Sequence, residues 1–324
     1  MNTNVGIISA IGNTPLIRLD KIMKDKQFKL YMKMEGFNPG GSAKDRSALS
    51  MIQNAIDKGE INKNTVIIES SSGNLGISLA LICKCLGLKF ICVVDIKTTR
   101  ENLEILKAYG AEIELVDEPD KETGEFLQAR INRVNELLEI INNSYRPNQY
   151  ANIYNPIGHY QTMDEISKAL DGNIDYLFCA TSTCGTIRGC SEYISLNHLK
   201  TKIIAVDAVG SVIFGGKSAK RLLPGHGAAI IPSLYQPNLC DDFIKVTDLD
   251  CVMGCRRLLD YEGILAGGST GAIMTAIERY AEFIEKNASC VMLMHDRGER
   301  YLNTIYSEEW VNKNLLKSLV KSLA

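Results

Sequence analysis

Long apolar runs are missing from this 324-residue chain, and no stretch approaches the roughly 18 consecutive apolar residues that a membrane-spanning helix requires. Residues 1–12 carry no Lys or Arg ahead of their short apolar patch, unlike a secretory leader, so a cytoplasmic location is the expectation. Blocks of one charge sign are missing too. With 36 basic against 38 acidic side chains and a net charge of -2, neither nucleic acid nor a membrane surface is expected as a partner. Ten cysteines are present, but no Cys-x-x-Cys occurs. That absence argues against a disulfide framework and against a metal site, and the pair Cys251 and Cys255, one helical turn apart, reads as buried packing. Neither G-x-x-x-x-G-K-S/T nor G-x-G-x-x-G is found, which removes support for ATP or a dinucleotide.

What is present is an ordinary soluble composition, 45% hydrophobic and 23% charged, in a chain long enough for two domains. Short β-rich runs alternate with longer helical patterns. Strands are expected over residues 29–34, 66–69, 90–94 and 112–116, and helices over 43–58, 75–86, 100–109 and 123–142. The series pauses at residues 142–156, an Asn-, Tyr- and Pro-containing segment that reads as a crossing between domains. It resumes with strands over 176–180, 203–206 and 290–294, and helices over 186–196 and 271–284. Strands separated by helices imply right-handed βαβ units on mainly parallel sheets, hence an α/β fold.

Gly, Ser, Thr and Asn concentrate at residues 38–46, 69–76, 180–189 and 266–271, after strands and before helices, where open α/β sheets bind ligands. In Ala180-Thr-Ser-Thr-Cys-Gly-Thr-Ile-Arg-Gly189, backbone N–H groups at a helix start and the hydroxyls of Ser182, Thr183 and Thr186 suit an anion such as phosphate. A helix-capping turn is the other reading. Glu69-Ser-Ser-Ser-Gly-Asn-Leu-Gly76 offers hydroxyls and an amide to a carboxylate, or again only a cap. In Pro39-Gly-Gly-Ser-Ala-Lys-Asp-Arg46, Ser42 is the expected N-cap and Lys44 falls in the first turn, where a cation opposes the helix dipole. A surface lysine and a desolvated, nucleophilic one are both open there.

Taken in order, Ile11-Gly-Asn-Thr-Pro-Leu-Ile-Arg-Leu19, Gly41-Ser-Ala-Lys-Asp-Arg46, Ser71-Ser-Gly-Asn-Leu-Gly76, Asn148-Gln-Tyr150, Gly267-Gly-Ser-Thr-Gly271 and Arg297-Gly-Glu-Arg300 resemble the fold-type II pyridoxal-phosphate enzymes, the family of cysteine synthase and cystathionine β-synthase. The resemblance spans nearly the whole chain. It implies two three-layer αβα domains of tryptophan synthase β-like fold: a larger cofactor-binding domain from residues 1–38 and 149–324, and a smaller mobile domain from residues 39–148 that carries Lys44 and the asparagine loop. It implies pyridoxal 5'-phosphate as cofactor, Lys44 as the catalytic and Schiff-base lysine, and Asn74, Ser182, Thr183, Cys184, Gly185, Thr186 and Ser269 as cofactor ligands. Ser71, Ser72, Asn74, Gln149 and Tyr150 are then substrate residues. A neutral Ser269 facing the ring nitrogen favours elimination, and β-replacement through an aminoacrylate is the implied course. The implied partners are small amino-acid substrates and a second copy of the chain in a homodimer.

Departures from cysteine synthase, namely Leu75 in the asparagine loop, Pro39-Gly-Gly-Ser42 and the less Gly-rich phosphate loop, resemble the branch that joins L-glutamate to O-phospho-L-serine for siderophore precursors. Sulfur-handling β-replacement is the alternative. Arg130, Arg188 and Arg221 are candidates to meet a substrate phosphate, each with a surface salt bridge as its other reading. His159, close in sequence to Gln149, is a candidate to line the site, while Trp310 and the tail to Ala324 read as an amphipathic helix covering core or a dimer partner.

Overall fold

The computed structural model describes residues 6–316, so residues 317–324 of the expected tail helix lie outside the described residues. In chain order the main elements are β1 (Leu16–Leu19), β2 (Lys29–Lys33), α1 (Lys44–Asp57), β3 (Val66–Ser70), α2 (Asn74–Leu86), β4 (Lys89–Asp95), α3 (Arg100–Ala108), β5 (Glu112–Val116), α4 (Phe126–Ile140), β6 (Ser144–Tyr145), α5 (Tyr154–Ile157) and α6 (Tyr160–Ala169). There follow β7 (Tyr176–Ala180), α7 (Gly185–Leu196), β8 (Lys202–Ala208), β9 (Asp242–Val246), α8 (Asp248–Glu262), α9 (Gly268–Tyr280), β10 (Ser289–Leu293) and α10 (Glu308–Val311).

Local chemistry explains the boundaries. Thr99 caps α3 by accepting from the Asn102 N–H, and Thr247 with Asp250 forms a reciprocal capping box on α8. Helix α4 starts at Phe126, later than expected, because Asp120 Oδ1 takes the Thr123 N–H at 2.8 Å and holds that stretch as a turn. Helices α2 and α8 stop at Gly87 and Gly263, both left-handed at φ 69° and 70°.

Two compact units form, each an αβα sandwich. The first comprises described residues 6–12 and 38–158, with a parallel sheet in the order β5-β4-β3-β6. Neighbouring residues of β3 feed opposite faces: Ile67 packs with α1 and α2 side chains such as Met51 and Leu79, and Ile68 packs with Val134 and Leu137 of α4. The second comprises residues 13–37 and 159–316, with a sheet in the order β1-β2-β10-β7-β8-β9, parallel except for β1 against β2. Phe178 and Met292 face the α8–α9 side while Leu177 and Leu293 face the α6–α7 side. Every residue of β7 is buried, as a strand covered on both faces requires. Trp310 packs on the first of these two cores.

The units change over at residues 12/13, 37/38 and 158/159, where the sequence reading set 38/39 and 148/149. Ile11 is buried in the α1–α2 core, and Gly158 lies so near α1 that a Cβ on it would sit 2.7 Å from the Arg46 carbonyl. These contacts bring residues 6–12, and also Gln149 and Tyr150, into the unit that contains Lys44. In the second unit, α8 and α9 touch backbone to backbone. A Cβ on Gly271 would lie 2.1 Å from the Cys251 carbonyl oxygen, and one on Gly254 2.0 Å from that of Gly271, so neither position admits a side chain without parting the helices.

Candidate active site

In the first unit, Lys44 is the opening residue of α1 and is half-buried. The N-cap is Ala43, already helical, rather than Ser42; the Ser42 Oγ accepts the Lys44 N–H at 3.3 Å. Asp45, fully buried, turns its carboxylate back to accept the Gly40 N–H at 2.5 Å and the Ser78 hydroxyl of α2 at 2.5 Å. That bridge joins the first turns of α1 and α2. It sets Lys44 at the same end of the unit as the loop from Ser70 to Asn74.

That loop is held by one internal hydrogen bond and by donors from β4 and α3. Ser71 Oγ accepts the Gly76 N–H at 2.9 Å, Cys92 donates its thiol to the Ser71 carbonyl, and Asn102 Nδ2 donates to the Ser72 carbonyl at 2.9 Å. A Cβ on Gly76 would meet the Ser71 carbonyl oxygen at 2.7 Å, so the tight turn into α2 needs glycine there. Ser72, Gly73 and Asn74 are half-buried, and the space above Gly73 is open. Beneath the loop, Glu69 is fully buried. Burial raises its pKa, opposed by Arg146, whose Nε is 3.7 Å away, and by backbone N–H groups. One of those groups belongs to Gln149, which donates to Glu69 Oε2 at 3.3 Å, while Asn155 Nδ2 donates to the Gln149 carbonyl at 2.7 Å. Burial also raises the pKa of the Tyr150 phenol, within the fields of Arg130, Glu69 and Arg146.

In the second unit, the loop after β7 enters α7 through Cys184, a non-glycine residue at φ 64°. An L-residue there costs about 1–2 kcal/mol. The first helical N–H to find a carbonyl is that of Arg188, which bonds to Cys184, leaving the N–H groups of Gly185, Thr186 and Ile187 without intrahelical acceptors. Thr183 Oγ1 is buried with no hydrogen-bond partner. Ser182 donates to the Gly227 carbonyl at 3.3 Å, and the Gly227 N–H bonds to the Thr181 carbonyl, so segment 225–227 runs beside the loop. Gly225, at φ 102°, would meet Ser269 Cβ at 3.8 Å if it had a Cβ. Ser269, in the first turn of α9, is thereby brought to the same end of the second unit as residues 182–186. An orphaned buried hydroxyl beside free N–H groups fits a phosphate monoester. The donor set agrees with the phosphate end of the expected cofactor.

Of the sequence candidates, His159 proves fully buried with Nε2 3.1 Å from Thr186 Oγ1, so it backs the anion loop. Arg188 is tied to Glu192 at 2.7 Å on its own helix, and Arg221 donates to the His226 carbonyl. Arg130 pairs with Asp95 at 3.2 Å, its side chain 12% exposed and its Nε aligned with no acceptor. Among the described residues no cluster suits a metal ion, and no helix is long and apolar enough to cross a membrane. Glu69, Asn102, Arg146 and Asn155 were missed from sequence. Only Glu69 carried a signal, as the single charge ending the apolar run of β3.

The comparisons with known proteins agree with this chemistry. The family model described as pyridoxal-phosphate dependent enzyme matches residues 7–296. A hydrogen sulfide-producing enzyme from Fusobacterium nucleatum is 34% identical, with 93% of this chain and 99% of that chain covered and a TM-score of 0.87. An O-acetylserine dependent cystathionine beta-synthase from Helicobacter pylori is 30% identical over 95% of this chain and 100% of that one, and an O-ureido-L-serine synthase is 28% identical over 97% and 96%, each with a TM-score of 0.87.

Proposed function

The chain belongs to the pyridoxal-phosphate dependent enzymes, and from that premise we propose that it replaces the phosphate of O-phospho-L-serine by the α-amine of L-glutamate, as N-(2-amino-2-carboxyethyl)-L-glutamate synthase does. The product would be a diaminopropionate precursor for siderophores. The residues to hold the cofactor are Lys44 as its covalent anchor, Asn74, Ser182 to Thr186 for its phosphate, and Ser269 at its ring nitrogen. When bound, it supplies a sink for the electron pair left at the substrate Cα.

The remaining work falls to this chain's side chains. Ser71, Ser72 and Gln149 orient the substrate α-carboxylate. Lys44, whose amine would be freed when the substrate amine takes its place, accepts the Cα proton, the Cβ–O bond breaks with its electron pair on phosphate, the glutamate nitrogen bonds to Cβ and loses a proton, and Lys44 returns one to Cα. The observation that carries the choice of leaving group is Arg130. It pairs with Asp95 at 3.2 Å yet leaves its Nε–H unaligned, and its field reaches Tyr150 and Cys92, whose thiol donates to the Ser71 carbonyl at the carboxylate loop. A dianionic phosphate uses such a cation; an acetyl group does not.

Sulfur-handling β-replacement is the second reading, favoured by the identity to the hydrogen sulfide-producing enzyme. To decide, the purified, cofactor-loaded protein is given O-phospho-L-serine, O-acetyl-L-serine or L-cysteine with glutamate, sulfide or homocysteine in competition, and products are read by mass spectrometry. O-Phospho-L-serine with glutamate should give the dominant, carbon–nitrogen-linked product, and Arg130→Gln should lower its kcat/KM about tenfold or more while sparing O-acetyl-L-serine. A dominant thiol or thioether moves the enzyme to the second reading.

A further inference from the structure

Glu69 is fully buried with both carboxyl oxygens taken by backbone N–H groups, and its nearest cation, Arg146, stands off at 3.7 Å. Its two oxygens serve two chain segments. Oε1 accepts the Ser70 N–H at 2.9 Å, at the start of the loop containing Ser71 and Ser72, and Oε2 accepts the Gln149 N–H at 3.3 Å, eighty residues away. The Asn148 N–H faces the same carboxylate, because Asn148 is left-handed at φ 53° and turns two successive N–H groups to one side. Asn155 holds the Gln149 carbonyl from the other end.

We propose that Glu69 is a positioning residue that ties loop 70–76 to Gln149, so that the two halves of the α-carboxylate cradle are held as one piece. The inference rests on the reading of Ser71, Ser72 and Gln149 as that cradle. A carboxylate serves both backbone donors; a glutamine of the same shape turns an N–H toward one of them and leaves it unmatched. Once one half of the cradle drifts, a substrate carboxylate must order it again on binding. The loss therefore appears in affinity for the first amino acid, ahead of turnover at saturation.

The test uses the holoenzyme and the change in cofactor absorbance as O-phospho-L-serine or L-cysteine is titrated in, for the parent, Glu69→Gln, Gln149→Ala and the double variant. Each single change should raise the apparent dissociation constant for both amino acids about tenfold with cofactor absorbance retained, and Glu69→Gln should do so with kcat within about threefold. The loss in the double variant should be less than the product of the single losses, since Glu69 acts in part by placing the Gln149 side chain that Gln149→Ala has already removed. If Gln149→Ala weakens binding and Glu69→Gln leaves it within about twofold, the tether is overturned and the cradle stands. If Gln149→Ala itself has no effect, the cradle fails and the tether with it. Should Glu69→Gln not fold, Asn155→Leu, which frees the Gln149 carbonyl from the opposite side, replaces it, and unchanged binding there also overturns the proposal.

Discussion

The two loops that carry the candidate chemistry differ in how far they satisfy their own polar groups. Apart from Ser70 Oγ at its start, which is buried without a partner, loop 70–76 spends its groups on itself and its neighbours: Gly76 N–H on Ser71 Oγ, the Ser72 carbonyl on Asn102, the Ser71 carbonyl on Cys92. Loop 182–186 keeps a buried hydroxyl on Thr183 with no partner and a left-handed Cys184, both unfavourable by themselves. The difference fits the roles proposed for the two loops. A site for a transient substrate must be stable empty, whereas a site for a resident anion can leave its accounts open until the anion is bound.

The largest effect should come from Lys44. Lys44→Ala is expected to lower turnover by about 10²–10⁴-fold and abolish the borohydride-fixable cofactor link, while the loop of the second unit still retains cofactor by its phosphate. A fixed adduct persisting in that variant would move the anchor elsewhere. Thr183→Val comes next and has two signs. Cofactor affinity, followed by absorbance during dialysis, should fall about tenfold, yet the cofactor-free protein should melt no lower than the parent, because an orphan hydroxyl costing about 1–3 kcal/mol has gone. Ser71→Ala should show the reverse at the smallest scale: the cofactor-free protein loses about 1 kcal/mol in a denaturant melt, since the Gly76 N–H loses its acceptor, while cofactor affinity is unchanged. Equal signs in the two loops would erase the contrast.

Much of this was legible in the chain. Alternating strand and helix patterns located β2 to β5, β7, β8, β10 and helices α1 to α4, α7 and α9, because these strands are short β-rich runs and these helices are long. The misses have physical causes. β1 is a four-residue edge strand with Arg18 pointing out, and α8 interrupts its apolar stripe with Gly254 and two arginines, so neither has a clean period. For the site, motif strings indicated which loops matter but could not reveal who holds them. Asn102 and Arg146 act through contacts between segments dozens of residues apart, and Asn155 reaches back within an irregular segment with no period to read, so nothing in their local sequence encodes these contacts.

The glycine contact between α8 and α9 bears on any attempt to transplant this chemistry. Gly267-Gly-Ser-Thr-Gly271 looks like a portable cassette whose useful member is Ser269. Yet Gly271 is there because the Cys251 carbonyl occupies the space a Cβ would need, and Gly254 answers it from the other helix. Grafting the five residues onto another scaffold without a glycine facing them would wedge the helices apart and displace Ser269 from the ring-facing position proposed for it. The smallest transferable module is therefore the helix pair, with one serine as its cargo.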